Sequence, residues 1–276
     1  MAAKGLADPR RGNPGQTALD PEFTTLYRRY KAADPPPRAQ IALPATTVRW
    51  IATHFRSLPS PLLRAVGDLV TLAFFFLLRV GEYTPSSGPR LTVPLRNKDF
   101  KLWRDGTRLP NDAPLSVLLS ADAVTICLEN QKNGYKNAVI HHTSSGDPSF
   151  DPVRAAARRV HVTAAAGPDT PIGAVAINGR VTYVSAQDIR DAVQTGAIGD
   201  NLPAAGYDLT RLGSHSIRAG GAVQLKILGY DSDIIQKLGR WSGLTYLRYI
   251  QTQIAQVTSG IAALMARPIR FTHVGA

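Results

Sequence analysis

Six side chains in this 276-residue chain have the types that phosphoryl transfer without a metal requires: Arg79, Lys132, His215, Arg218, Trp241 and Tyr249. A guanidinium neutralises two non-bridging phosphate oxygens through its planar fork, and a lysine or histidine moves a proton. An indole N–H donates a hydrogen bond, and a phenol oxygen can attack phosphorus to give a covalent intermediate. The densest part is Gly213-Ser-His-Ser-Ile-Arg-Ala-Gly-Gly-Ala222, where His215 and Arg218 lie three residues apart beside small residues that would let backbone and guanidinium approach one anion. No cluster of Asp and Glu at convincing spacing offers the two-metal alternative.

Each of these residues also has an ordinary structural reading. Arg79 in Leu-Leu-Arg-Val-Gly-Glu-Tyr closes an apolar helix, where a cation complements the dipole, and Glu82 can pair with it. Lys132 stands near a hairpin tip, a place for solubilising charge. His215 and Arg218 read equally as polar residues at a helix start or as a two-sided grip on a phosphate. Trp241 between Gly239 and Gly243 reads as a packing aromatic, and Tyr249 as a surface tyrosine beside an apolar stripe.

The elements that would carry these groups follow from pattern. Thr46 or Thr47 caps a helix through Phe55, and Pro61 opens a second, PLLRAVGDLVTLAFFFLLR, apolar nearly all round and therefore central. Strands are expected at LTVPL (91–95), AVTICLE (123–129) and NAVIHH (137–142), the last two joined by a turn at Asn133-Gly134. Asp151-Pro152 starts a helix with Arg154, Arg158 and Arg159, and Ser185 with Asp188 forms a capping box for a helix to about Thr195. Helices then run from Ile217 to Leu228 and from Ser232 to Leu238. A last long helix has Leu247, Ile250, Ile254, Val257, Ile261 and Leu264 on one face.

Residues 1–40, rich in Pro, Gly and charge, read as a flexible arm with an amphipathic patch at Phe23–Tyr30. An apolar fraction of 44% excludes wholesale disorder. Lys and Arg outnumber Asp and Glu by 32 to 20, a formal charge of +12, which suits a polyanion, nucleic acid before an anionic membrane. The lone Cys127 excludes an intrachain disulfide and a cysteine zinc site. The longest apolar run, Leu69 to Leu78, is about half the ~20 residues of a membrane span.

The order Arg79, Lys132, His215-Ser-Ile-Arg218, Gly239-Arg240-Trp241, Tyr249 resembles the catalytic domain of the tyrosine recombinases, the phage-integrase family. The wording HSIRAGGA, then GRWSG and LRYI, is most similar to the Crypton-type branch of eukaryotic transposons. The resemblance spans roughly 41–266, leaving 1–40 as an arm or the remnant linker of a missing core-binding domain and 267–276 as a tail. It implies an α+β, mainly helical DNA breaking-rejoining fold whose small antiparallel sheet carries the lysine hairpin.

It also implies roles. Tyr249 attacks the scissile phosphate to give a 3′-phosphotyrosyl bond, Arg79 and Arg218 clamp the phosphate, and Lys132 protonates the 5′ leaving oxygen. His215 donates and moves a proton, Trp241 donates its indole N–H or buttresses the site, and Glu82 orients the cluster. Trp241 stands where a histidine is commoner, and it precedes Tyr249 by eight residues (249 − 241), one fewer than is frequent, which makes Tyr246 the reserve nucleophile. Double-stranded DNA is the expected partner, with dimers or tetramers forming on it; no cofactor, metal or membrane is expected, and the setting is intracellular, nuclear in a eukaryote. The competing readings are a DNA-binding or regulatory module that has lost catalysis and a type IB topoisomerase.

Overall fold

The computed structural model describes residues 20–33, 40–85, 92–130, 136–241, 243 and 247. The chain divides into two compact units, 1–38 and 39–276. In the first, Pro21–Ala33 forms a helix, α1, where only an amphipathic patch is expected; the Asp20 carboxylate accepts from the Glu22 and Phe23 amides and Phe23 stacks on Tyr27. The expected tail 267–276 lies outside the described residues, as does the expected final helix apart from Leu247.

The second unit is organised around the apolar run. α3 (Pro61–Phe75) is capped by Ser60, with Pro61 in its first turn, and every residue from Ala65 to Phe74 is buried. It packs against α2 (Ala45–Ser57) and α5 (Pro152–Ala164). The one carboxylate in its buried stretch, Asp68, is held bidentately by Arg158 of α5 at 2.6–3.1 Å. That pairing offsets a desolvation that pushes the Asp68 carboxyl pKa up. α5 starts as expected at Asp151, whose carboxylate accepts from the Arg154 amide. α6 (Ala186–Gly199) has the expected box, Ser185 and Asp188 each accepting the other's amide, and runs four residues past the expected end at Thr195. α2 begins behind Pro44 rather than a threonine cap, because both Thr46 and Thr47 spend their hydroxyls on Asp200.

A four-stranded antiparallel sheet, order β2-β1-β3-β4, covers one side of α5. β3 (Ala123–Asn130) and β4 (Lys136–Thr143) pair as expected, Ile126 opposite Ile140, while the turn with Lys132 lies outside the described residues. The expected strand at LTVPL is not one: Thr92–Leu95 is irregular, Pro94 has no amide to give, and Leu95 bonds to the Glu82 carbonyl and the Ile172 amide. The missed strands are β1 (Phe100–Arg104) and β2 (Thr107–Leu109), joined by Asp105-Gly106 with both φ positive. A second hairpin, β5 (Ala174–Ile177) and β6 (Arg180–Tyr183), turns at Asn178-Gly179 in the same way. A short helix, α4 (Leu115–Leu118), precedes β3.

α7 (Ser214–Ile227) begins three residues before the expected Ile217, because the Ser216 hydroxyl accepts the Gly213 amide one turn back. α8 (Ser232–Gly239) follows. α7 lies unusually close to its neighbours. A Cβ on Gly220 would stand 2.0 Å from the Leu43 carbonyl oxygen, and one on Gly221 would stand 2.5 Å from that of Phe74.

Gly220→Ala is therefore expected to destabilise. The roughly 1 kcal/mol that alanine gains over glycine in a helix is outweighed by a backbone clash costing about 1–3 kcal/mol or more. Urea denaturation of the variant beside the parent measures the net sign.

Candidate active site

The site is built on the end of α3. The helix stops at Phe75, short of the expected Arg79: Phe76 caps it, Leu77 takes the left-handed conformation at φ 47°, and the Leu78 amide bonds back to the Ala73 carbonyl at 3.0 Å. Glycine is the usual residue there, and leucine costs about 1–2 kcal/mol of backbone strain. The Leu77 side chain compensates by packing with Ala219, Ala222 and Ile235 from α7 and α8.

Three carbonyls at this terminus are taken by side chains from three other elements. His142 Nε2 of β4 lies 2.9 Å from the Phe75 oxygen, and Arg240 Nη1 donates to the Phe76 oxygen at 3.0 Å. The Leu77 oxygen accepts from Arg218 Nη1 at 2.6 Å and from Arg240 Nη2 at 3.0 Å. Cations thus do complement the end of this helix dipole, but they are Arg218 and Arg240 rather than Arg79.

Arg79 lies beyond, in extended conformation, where the chain enters a single 3-10 turn, Val80–Glu82. Its side chain is 22% exposed, and Glu82 beneath it is 1% exposed. The Glu82 carboxylate accepts from the Arg79 amide (2.8 Å), from Arg79 Nη1 (3.0 Å) and from Arg240 Nη2 (2.8 Å). The expected Arg79–Glu82 pair is thus present, with a second arginine added.

Arg218 is 1% exposed. Besides the Leu77 carbonyl it donates to that of Gly239, and its guanidinium carbon stands 4.3 Å from the centre of the Trp241 ring. Trp241 thus stacks on Arg218. Gly239 permits this fold-back, since a Cβ there would lie inside the indole, 1.7 Å from Cζ3. His215, one turn before Arg218 on α7, is exposed. A cavity of about 410 Å³ opens beside the cluster, between Ala138 of β4 and Gln236, Lys237, Arg240 and Trp241 at the end of α8. The strand that follows the Lys132 turn therefore faces the same space as Trp241.

The structure brings Arg79, Glu82, Arg218 and Trp241 together and places His215 on the surface of the same helix as Arg218. Lys132, Tyr249 and the reserve Tyr246 lie outside the described residues. Two members of the cluster, Arg240 and His142, were not singled out by sequence. Arg240 stands in the quoted Gly-Arg-Trp stretch, but nothing in the pattern shows that its side chain turns inward; His142 carries no motif. No group of three or more His, Cys, Asp or Glu side chains able to hold a metal occurs among the described residues, and none of their helices is long and apolar enough to cross a membrane.

The fold is that of a tyrosine recombinase catalytic domain. The chain matches the XerH site-specific recombinase in its post-cleavage complex with palindromic difH substrate, with a TM-score of 0.50 and 15% identity over 81% of this chain and 54% of that one. It matches the pre-cleavage complex of XerH with difH at a TM-score of 0.50 and 14% identity over 88% of this chain and 66% of that one. The chain thus spans 54% and 66% of these recombinase chains. No family model matches the sequence, and no curated protein does.

Burial lowers the His142 pKa from its ordinary value near 6.5, more than its bond to the Phe75 carbonyl raises it. The neutral ring therefore contributes stability that is complete above about pH 6.5 and is lost as pH falls through the lower folded-state value. His142→Gln is expected to lose less stability than the parent between pH 7 and pH 5, measured by urea denaturation at both pH values.

Proposed function

We propose that this chain cleaves and rejoins DNA strands through a covalent 3′-phosphotyrosyl intermediate at Tyr249. The supporting observation is the convergence of Arg79, Glu82, Arg218 and Trp241, drawn from three separate stretches of sequence, on one helix end beside a cavity shared with the β4 strand. In this reading the Tyr249 oxygen forms a bond to phosphorus while the bond to the 5′ oxygen breaks. The tyrosine proton passes to His215, and Lys132 supplies the proton taken by the 5′ oxygen. Arg79, on the exposed side of Glu82, meets the phosphate directly. Arg218, a five-donor guanidinium held by the Leu77 and Gly239 carbonyls, adds positive potential to the site.

The phosphodiester energy is kept in the protein–DNA bond, so no nucleotide cofactor is required. Double-stranded DNA is the proposed substrate, in keeping with the +12 charge, and self-association on it is part of the proposal. The wording HSIRAGGA with GRWSG and LRYI supports placing the chain near the Crypton-type transposon branch.

One observation favours a second reading, a DNA-binding module without catalysis: Arg218 is nearly fully buried and grips protein carbonyls. A nicked suicide DNA substrate separates the two. Cleavage is expected to leave a covalent protein–DNA adduct on a denaturing gel that vanishes in Tyr249→Phe. A folded, DNA-binding protein that yields no such adduct refutes the recombinase reading and supports the second.

Arg218→Lys checks the role of the planar fork. A lysine cannot hold Leu77, Gly239 and the Trp241 face at once. The cleavage rate is expected to fall by more than about 100-fold while DNA affinity changes several-fold at most; equal losses in the two measurements contradict the assignment.

A further inference from the structure

The Arg240 side chain occupies the centre of the cluster, although the proposed chemistry gives it no work. It ends α8 in the left-handed conformation, φ 56° and ψ 40°, at a position where glycine or asparagine is easily accommodated and a long side chain is not. Its strained backbone sends the guanidinium inward. Arg240 is 6% exposed, and its two amino nitrogens reach the carbonyls of Phe76, Leu77 and Leu238 at 3.0 Å each and the Glu82 carboxylate at 2.8 Å. Burial lowers the guanidinium pKa, and Glu82 opposes that shift.

Two of these contacts are shared. Glu82 also holds Arg79 by side chain and backbone, and the Leu77 carbonyl also holds Arg218. Arg240 is therefore joined to each proposed phosphate-site arginine through one intermediate group, and it lies on the segment that leads to Tyr249. A compact ammonium cannot reproduce this, because bridging a carboxylate and three carbonyls takes a planar fork.

We propose that Arg240 is the positioning residue of the site: by bridging Glu82 to the Leu77 carbonyl it sets Arg79 and Arg218 in register and ties α8 to the end of α3. What the two arginines are positioned for rests on the recombinase reading; that Arg240 positions them does not.

The test compares Arg240→Lys, Arg240→Met, Glu82→Gln and the Arg240→Lys/Glu82→Gln double variant with the parent. In the methionine variant Glu82 keeps Arg79 as partner, so no buried carboxylate is orphaned and folding is expected to survive, as checked by a thermal melt. Adduct formation on the suicide substrate at saturating DNA is expected to slow by more than about 100-fold in each Arg240 variant, the scale of an ångström-level misplacement. DNA affinity is expected to stay within several-fold. The double variant is expected to be no slower than its slower parent, because both substitutions break one bridge.

A purely structural role predicts lower melting temperatures with the parental rate well below the melt, and that result overturns the proposal, as do independent, multiplying losses in the double variant. A crystal structure of Arg240→Lys reads positioning without any activity. Displacement of the Arg79 and Arg218 guanidiniums from their parental places is expected, and unmoved arginines overturn the proposal. Absence of any adduct from the folded parent refutes the recombinase reading instead and leaves the crystallographic comparison to decide the role of Arg240.

Discussion

The end of α3 is the constraint on which the rest of the described site depends. An α-helix leaves its last carbonyls without amides of its own, and buried carbonyls left unpaired cost about 1–3 kcal/mol each. Here the carbonyls of Phe75, Phe76 and Leu77 are met by His142, Arg240 and Arg218, one each from β4, the end of α8 and α7. Satisfying one helix terminus thus draws three elements to one point. The arginines come with a consequence, because two buried guanidiniums against backbone oxygens leave positive charge uncompensated. Glu82 supplies the countercharge to Arg240, and in doing so fixes Arg79. Because Glu82 serves both arginines, loss of Arg240 still leaves it Arg79 as partner, whereas loss of Glu82 strips the buried Arg240 of its countercharge.

The steric side of the same constraint is visible in three glycines. Gly221 lets α7 approach the Phe74 carbonyl and the Leu77 side chain, Gly220 lets it approach Leu43, and Gly239 makes room for the Trp241 ring. With a Cβ at Gly220 or Gly221, α7 would move outward, and the 2.6 Å contact between Arg218 and the Leu77 carbonyl would open. The small residues after Arg218 are therefore best understood through helix packing. Read from sequence, they promised space for an anion beside the backbone; in the folded chain that space is filled by the backbone of neighbouring elements.

Much of the architecture was legible because it rests on local rules. The nearly all-apolar α3, the Asp151 and Ser185 caps and the paired β3 and β4 follow from period and capping chemistry. Two hairpins were missed although their signals, Asp105-Gly106 and Asn178-Gly179, are of the same kind as the Asn133-Gly134 pair from which the β3–β4 pairing is expected. LTVPL was misread because its β-branched and apolar residues outweighed Pro94. The end of α3 was placed four residues late for a deeper reason: nothing local makes Leu77 adopt a positive φ. That conformation is imposed by the pocket its side chain fills between α7 and α8 and by the side chains that take its carbonyl.

The same distinction explains the site. Arg79, Glu82, Arg218 and Trp241 were legible by residue type and order, and the structure brings them together. Their division of labour was not legible, because sequence treats two arginines as equivalent forks. Folding makes them unequal: Arg79 keeps a face to solvent above Glu82, while Arg218 is buried against two carbonyls and an indole. A guanidinium with its amino groups engaged and its face covered gives up most of its reorientation freedom. That preorganisation is what an electrostatic contribution to a transition state demands, since dipoles and charges already in place need not reorganise when charge develops. Arg240 lies one layer further inward, where a third arginine is held against Glu82 and the carbonyls of Phe76 and Leu77. Sequence inspection weighs residues by what they can touch, whereas this cluster is ordered by which groups share a partner, and shared partners become visible only once the carbonyls of α3 are in place.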